Sequence, residues 1–251
     1  MARTIDLNCD MGEGFESDEA ILPLITSINI ACGYHAGDAA TMRKTVRLAV
    51  DHGVAIGAHP GFADRANYGR RVILVSPQEV YDLVLEQAGA LAAIARAAGA
   101  IVTHLKPHGA LYNMGTRDAA IATAIAAATR DFDPACILVG LSGSEVIKAG
   151  ELAGLQTASE AFADRTYQAD GTLTPRESTD ALIHDPAAAA KRVLKMVLQG
   201  CVTSQQGTEV PLRPDTICIH GDSPGAVDFA TAIRARLERE GIVVRRLSGT
   251  A

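Results

Sequence analysis

Ala100-Ile-Val-Thr-His104-Leu-Lys106-Pro-His108-Gly-Ala-Leu-Tyr-Asn113 is the stretch whose conformation decides the fold. Residues i, i+2 and i+4 of an extended strand share a face, so His104, Lys106 and His108 project together from the strand end. Pro107 lacks a backbone donor and its ring obstructs a helix, which argues against two histidines one helical turn apart. A strand that ends in two imidazoles and an ammonium has the geometry of a site.

Similar short apolar runs recur at 5–9, 28–32, 54–58, 101–105, 137–139 and 216–219. A weaker run covers 155–158 and a terminal one lies near Val243. Helical patterns separate them. Ser76-Pro-Gln-Glu79 reads as a capping box, Asp185-Pro186 and Ser223-Pro224 as helix starts, and Gly99, Gly200 and Gly241 as helix ends. This alternation implies a mainly parallel sheet of the α/β class covered by helices, and about seven strands suit an irregular (β/α) barrel. A doubly wound open sheet is the alternative. With 251 residues and 48% apolar content, the chain is expected to form a single barrel domain over 1–251. Segments 63–75 and 162–184 exceed minimal βα loops and read as site loops, whereas 203–214 reads as a surface loop.

Composition narrows the function. A net charge of -6 without a basic block argues for a small-molecule substrate and against nucleic acid or a membrane surface as partner. Five cysteines without regular spacing give neither a disulfide framework nor a structural zinc signature, so reduced thiols are expected. No apolar signal core and no bilayer-length run is present, and the expected location is cytoplasmic.

Polar residues gather just after the carboxyl ends of the strands, the catalytic face of a barrel. They are Asn8, Asp10 and Glu13; Asn29, His35 and Asp38; His59, Asp64, Arg65, Arg70 and Arg71; Lys106, His108 and Asn113; and His220 and Asp222. Taken singly, each has a plain structural explanation: an aspartate can cap a turn, a strand-end histidine can be hydrogen-bonded structure, and paired arginines can be solvated. Lys106 could lay its stem over apolar surface and leave its ammonium in water. His52 and His184 lack such company and are read as structural. Convergence of charged and amide groups from five strands would be costly without a purpose, which points to a functional pocket.

Other chemistries lack their motifs. Gly140-Leu-Ser-Gly143 is not a nucleophile elbow, and Cys9 and Cys32 sit where small buried hydrophobes belong. No phosphate-binding loop or dinucleotide fingerprint follows the first strand, so a nucleotide would bind in a nonstandard way or on a partner.

The chain resembles the LamB/YcsF family. The resemblance rests on Asp6-Leu-Asn-Cys-Asp-Met-Gly-Glu-Gly-Phe15, Asn29-Ile-Ala-Cys-Gly-Tyr-His-Ala-Gly-Asp38, Gly57-Ala-His-Pro-Gly61, Tyr68-Gly-Arg-Arg71, Lys106-Pro-His-Gly-Ala-Leu-Tyr-Asn113, Phe162-Ala-Asp-Arg-Thr-Tyr167, Gly171-Thr-Leu-Thr-Pro-Arg176 and His220-Gly-Asp-Ser-Pro224. It covers nearly the whole chain in order. Tyr34 and Tyr68 replace a phenylalanine found in many members, and no charged motif position is missing. The resemblance implies a distorted (β/α) barrel related to the polysaccharide-deacetylase fold. It further implies one component of an ATP-dependent 5-oxoprolinase, opening 5-oxo-L-proline to L-glutamate with subunits B and C.

Opening a lactam requires activation of the carbonyl oxygen, delivery of water and protonation of the departing nitrogen. ATP can do the first by phosphorylating that oxygen. Asp10 or Glu13 with His35 or His59 is expected to orient and deprotonate water. Lys106 and a loop arginine would hold negative charge or the substrate carboxylate, and His108 or His220 would be the acid. The candidate substrate-binding set is Asn8, Asn29, Asp38, Arg70, Arg71, Asn113, Asp164, Arg165, Arg176 and Asp222. No metal ligands are assigned. One alternative is a metal-dependent amide or N-acetyl hydrolase in which Asp10 and two of His35, His59, His108 and His220 hold a divalent ion. Against it stand the absence of a local ligand pair such as HExxH and the nearby Lys106. A non-catalytic lactam-binding subunit is the third reading.

Overall fold

The structure is a computed structural model that describes residues 3–221 and 225–248. Its elements in chain order are β1 (Thr4–Met11), α1 (Asp18–Ile21), β2 (Ser27–Ala31), α2 (Ala39–His52), β3 (Ala55–His59), α3 (Pro77–Ala97), β4 (Val102–Leu105), α4 (Gly109–Arg117) and α5 (Ala119–Phe132). There follow β5 (Ile137–Leu141), α6 (Glu145–Leu152), β6 (Thr157–Phe162), α7 (Pro186–Gln199), β7 (Cys201–Thr203), β8 (Glu209–Pro211), β9 (Thr216–Cys218), α8 (Ala226–Arg239) and β10 (Val243–Val244). Strands β1 to β6 pair in parallel in chain order, and β9 joins β6 back to β1, closing a seven-stranded barrel. β10 lies outside the closure, beside Thr4 and Ile5 at the start of β1.

The helix ends follow the local chemistry. Ser76 and Glu79 form the reciprocal cap of α3, and the Asp185 carboxylate accepts from the Ala187 amide at the start of α7. Asp118 takes the amides of Ala120 and Ile121 and so separates α4 from α5. Gly200 ends α7 in the left-handed region. The helix start read at Ser223-Pro224 lies outside the described residues.

Two expectations change. Segment 203–214 is largely the antiparallel hairpin of β7 and β8, joined by the tight turn around Gly207, rather than a plain loop. The weak strand at 155–158 is instead Thr157–Phe162, because Ser159 and Glu160 break the apolar run that would have marked it. Loop 63–75 stays outside the barrel strands, and so does 162–184 apart from Phe162, the last residue of β6.

The strands are buried on both faces, with polarity divided by alternation. Ile5, Leu7, Cys9 and Met11 belong to one contiguous apolar core that extends to Ile242. Asp6, Asn8 and Asp10, one residue out of phase with them, make cross-strand polar contacts instead. Asp6 accepts from the hydroxyls of Thr26 (2.7 Å), Ser27 (2.6 Å) and Thr216 (2.5 Å). Asn8 donates to Glu160 and Thr216, and Asn29 donates to Asn8 and Asp10. His104 completes this layer through Nε2 on the Asn29 carbonyl oxygen at 3.1 Å. The interior is therefore polar and hydrogen-bonded, as buried polar groups require. Among the described residues, no helix is long and apolar enough to cross a membrane.

Gly57 leaves room for the His104 ring, because a β-carbon there would collide with it. Gly57→Ala is expected to lower stability by about 1–3 kcal/mol through overpacking. Urea unfolding checks this, and an unchanged midpoint would show that the interior repacks freely.

Candidate active site

The floor of the site is an ion-paired lysine. Lys106, just beyond β4 and 2% exposed, places Nζ 2.9 Å from Asp10 Oδ1 at the end of β1. The same ammonium is 2.9 Å from Glu160 Oε1 on β6. Burial works against its charge, but the two carboxylates hold its pKa well above the ordinary lysine value. Burial likewise opposes ionisation of Asp10, yet His59, Lys106 and His220 hold it well below the usual carboxylate range. This lysine is a fixed cation rather than a base.

Three imidazoles and Glu13 form the adjoining wall. His59 directs Nδ1 to the Lys106 carbonyl at 2.7 Å, and its Nε2 lies 3.3 Å from Asp10 Oδ2. His108 directs Nε2 to the Tyr68 carbonyl at 2.7 Å. His35 stacks flat on His108, with centroids 3.8 Å apart, and its Nε2 is 3.2 Å from Glu13 Oε1. Burial pushes His35 down to about 3 and drives His108 well below its usual value, so both rings are neutral at ordinary pH. The 63–75 loop reaches over this wall at Gly69, whose φ of 63° and contact with His35 leave no space for a side chain. Arg65 in the same loop donates to the carbonyls of Gly33 and Gly37, tying the loop to the turn after β2.

On the opposite side, His220 Nδ1 meets the Asp164 carboxylate at 2.8 and 2.9 Å. Burial opposes ionisation of Asp164, while His220 lowers its pKa. Between the two walls opens a cavity of about 960 Å³ bordered by Asp10, Glu13, His59, Lys106, His108 and His220. Arg70, Arg165 and Arg176, from the two long loops, also border it.

The LamB/YcsF family model matches residues 5–251. The chain belongs to the LamB/YcsF family. It is 58% identical, over 98% of its length and 97% of the relative's, to the A subunit of 5-oxoprolinase from Geobacillus thermodenitrificans. A lactam utilization protein from Thermus thermophilus has a crystal structure that superposes with a TM-score of 0.90 at 46% identity, covering 97% of this chain and all of that one. A polysaccharide deacetylase from Bacillus cereus shares the fold, with a TM-score of 0.50 at 13% identity over 98% of this chain and 92% of that one.

This LamB/YcsF chain brings most of the expected residues together, with exceptions that have physical reasons. Asp10, Glu13, His59, Lys106, His108 and His220 face the cavity, whereas His35 lies behind His108. Arg70, Asn113, Arg165 and Arg176 border the same space. Asn8 and Asn29, expected to bind substrate, are instead 2% and 1% exposed and hydrogen-bonded below the cavity floor. Asp38 caps α2 by accepting from the Thr41 amide, and Arg71 turns outward to pair with Asp64 at 3.6 Å. Asp164 is buried on His220 and positions that ring. Asp222 lies outside the described residues. His104, first of the alternating trio, fills the barrel interior beneath the site. Cys9 and Cys32 are buried, and burial pushes both thiols up, Cys32 to about 12.

Sequence reasoning missed Glu160, whose signal was a lone carboxylate beside Ser159 in the short run 158–162. Glu13, His35, His59 and His108 each place one ligand atom within 4.8 Å of the others, so they could hold a metal ion.

Buried neutral histidines make stability pH-dependent. Burial lowers His35 from 6.5 to about 3 and His104 from 6.5 to about 4. The unfolded chain therefore binds more protons below pH 6.5, and stability falls on acidification from 6.5 towards 4. Urea unfolding across that range checks the sign, and His104→Gln is expected to flatten the slope. A stability constant through this window would contradict the neutral assignment.

Proposed function

We propose that the chain is the component of an ATP-dependent 5-oxoprolinase that hydrolyses the lactam bond of 5-oxo-L-proline, working with companion subunits B and C. The relatives' name supports the substrate and the existence of a multi-subunit enzyme. The observation that carries the reading is the fixed Lys106 cation at the floor of a cavity whose walls offer a carboxylate–imidazole base and, facing it, a histidine–aspartate pair.

In this reading Lys106 draws the lactam carbonyl oxygen, or the phosphorylated form of that oxygen, towards the floor. An ammonium held in place by Asp10 and Glu160 needs no reorganisation as negative charge develops. Asp10, with His59 Nε2 at 3.3 Å, takes the proton from the attacking water. His220, oriented through Nδ1 by Asp164, gives a proton from Nε2 to the ring nitrogen as the carbon–nitrogen bond breaks. The products are a free amine and a carboxylate in one molecule, L-glutamate. ATP would supply the activation: its γ-phosphoryl group moves to the amide oxygen with release of ADP, the first water and cleavage of the carbon–nitrogen bond leave an acyl phosphate, and a second water releases inorganic phosphate.

Arg70, Arg165 and Arg176 suit the substrate carboxylate or phosphoryl oxygens. A cavity of about 960 Å³ is several times larger than a five-membered lactam requires, which favours a phosphorylated ligand or nucleotide phosphates beside it.

Glutamate release from 5-oxo-L-proline and ATP, measured with and without the companion subunits, tests this reading. Activity is expected in the complete mixture, and Asp10→Asn, which preserves shape, should lower kcat by at least about a hundredfold with an intact fold. Full activity of Asp10→Asn, or no turnover of 5-oxo-L-proline by the complete enzyme, would overturn it.

A further inference from the structure

His59 and His108 meet in a way that two neutral rings cannot sustain alone. His59 Nδ1 and His108 Nε2 each lie 2.7 Å from a backbone carbonyl oxygen. A carbonyl only accepts, so these two nitrogens carry the ring hydrogens, and His59 Nε2 and His108 Nδ1 are left as bare acceptors. The bare nitrogens nevertheless face each other at 2.9 Å. Glu13 Oε1, another acceptor, is 3.3 Å from His108 Nδ1 and 4.0 Å from His59 Nε2. Asp10 Oδ2 also lies 3.3 Å from His59 Nε2, on a carboxylate whose other oxygen is held by Lys106, so the lone pairs of His59, His108 and Glu13 converge on a point that requires something electropositive.

A proton would join the two imidazoles and leave Glu13 outside the bond. A cation can satisfy all three. Donors about 2.0–2.1 Å from a tetrahedral ion stand about 3.3 Å apart, the middle of the three observed separations. Within the cluster, Asp10, Glu13 and Glu160 counted as carboxylates exceed Lys106 by two negative charges, which a divalent ion cancels. Lys106 does not repel such an ion strongly, because Asp10 and Glu160 already flank it.

We propose that Glu13, His59 and His108 bind one divalent transition-metal ion, with zinc the best match, leaving a coordination position open to the cavity. Two imidazoles and a carboxylate suit zinc or cobalt better than magnesium or calcium, which prefer oxygen donors throughout. Three protein ligands with an open position is the pattern of catalytic zinc sites. The supports match as well. Each ligating histidine gives its other nitrogen to a carbonyl, which fixes tautomer and ring plane. His35 holds Glu13 Oε1 at 3.2 Å while lying flat against His108. A second group, Asp10, Cys218 and His220, also has convergent donors, but Lys106 Nζ already contacts Asp10 Oδ1 at 2.9 Å and Cys218 Sγ at 3.2 Å and serves as its cation.

Metal binding can be read without turnover, so this inference stands or falls apart from the lactam reading. The test titrates chelator-stripped, full-length protein with Zn²⁺ by calorimetry and with Co²⁺ by visible absorption. Expected are one ion per chain and a cobalt spectrum of low coordination number. Glu13→Gln and His108→Gln should each weaken binding by at least about a hundredfold, and His35→Gln by about tenfold or more. His52→Gln, on the exposed end of α2, should leave affinity unchanged. Circular dichroism confirms that each variant is folded, and near-isosteric Glu13→Gln keeps the test open should the histidine variant unfold. Folded wild-type protein that takes up neither ion would overturn the proposal. So would undiminished affinity in folded Glu13→Gln, which would place the ion elsewhere.

Discussion

An ammonium group removed from water must be surrounded by negative charge, and Lys106 meets that demand by drawing Asp10 of β1 and Glu160 of β6 to the same point. The three residues come from strands that are not neighbours in the barrel, so their pairing spans its interior. Asn8 and Asn29 take up remaining acceptor positions, Thr216 links Asn8 to Asp6, and His104 closes on Asn29. The desolvation cost of each charge is offset only while all partners are present. This is a strong constraint on geometry and a weak source of net stability.

The same constraint sets the chemistry above it. With Lys106 held cationic and Asp10 held anionic, the floor carries fixed charges that substrate binding need not rearrange. Burial keeps His35 and His108 neutral beside them, so one small volume contains permanent charge and uncharged nitrogen bases together. The long loops add arginines at the rim, where larger anionic groups would first be met. The barrel thus separates what must stay fixed, on strands, from what must admit a ligand, on loops.

Much of this could be read in the sequence, because alternation along a strand is a strict geometric rule. His104 on β4 and Lys106 and His108 just beyond its end all turn to the barrel interior or the cavity, and the barrel and its two long loops follow from the spacing of apolar runs. What escaped was depth. Periodicity says which face a side chain occupies, and it does not say how far along the barrel axis it sits. Asn8 and Asn29 therefore read as site residues although they lie beneath it, and Asp38 and Arg71 although a helix cap and an outward ion pair claim them. Glu160 was hidden because Ser159 and Glu160 interrupt the apolar run, and a single carboxylate carries no pattern. The tautomers of His59 and His108 depend on backbone carbonyls contributed by other segments, which no local motif can encode.

The most direct measurement is turnover by a variant in which the floor loses its cation but keeps its shape. Lys106→Met combined with Glu160→Gln removes the ammonium together with one of its two carboxylates and should fold, as neutral replacements of buried ion pairs commonly do. Assayed with the companion subunits and ATP, the folded double variant is predicted to release L-glutamate at least about a hundredfold more slowly than the wild type. A rate within a few-fold of wild type would contradict the claim that this buried cation is the foundation of the site.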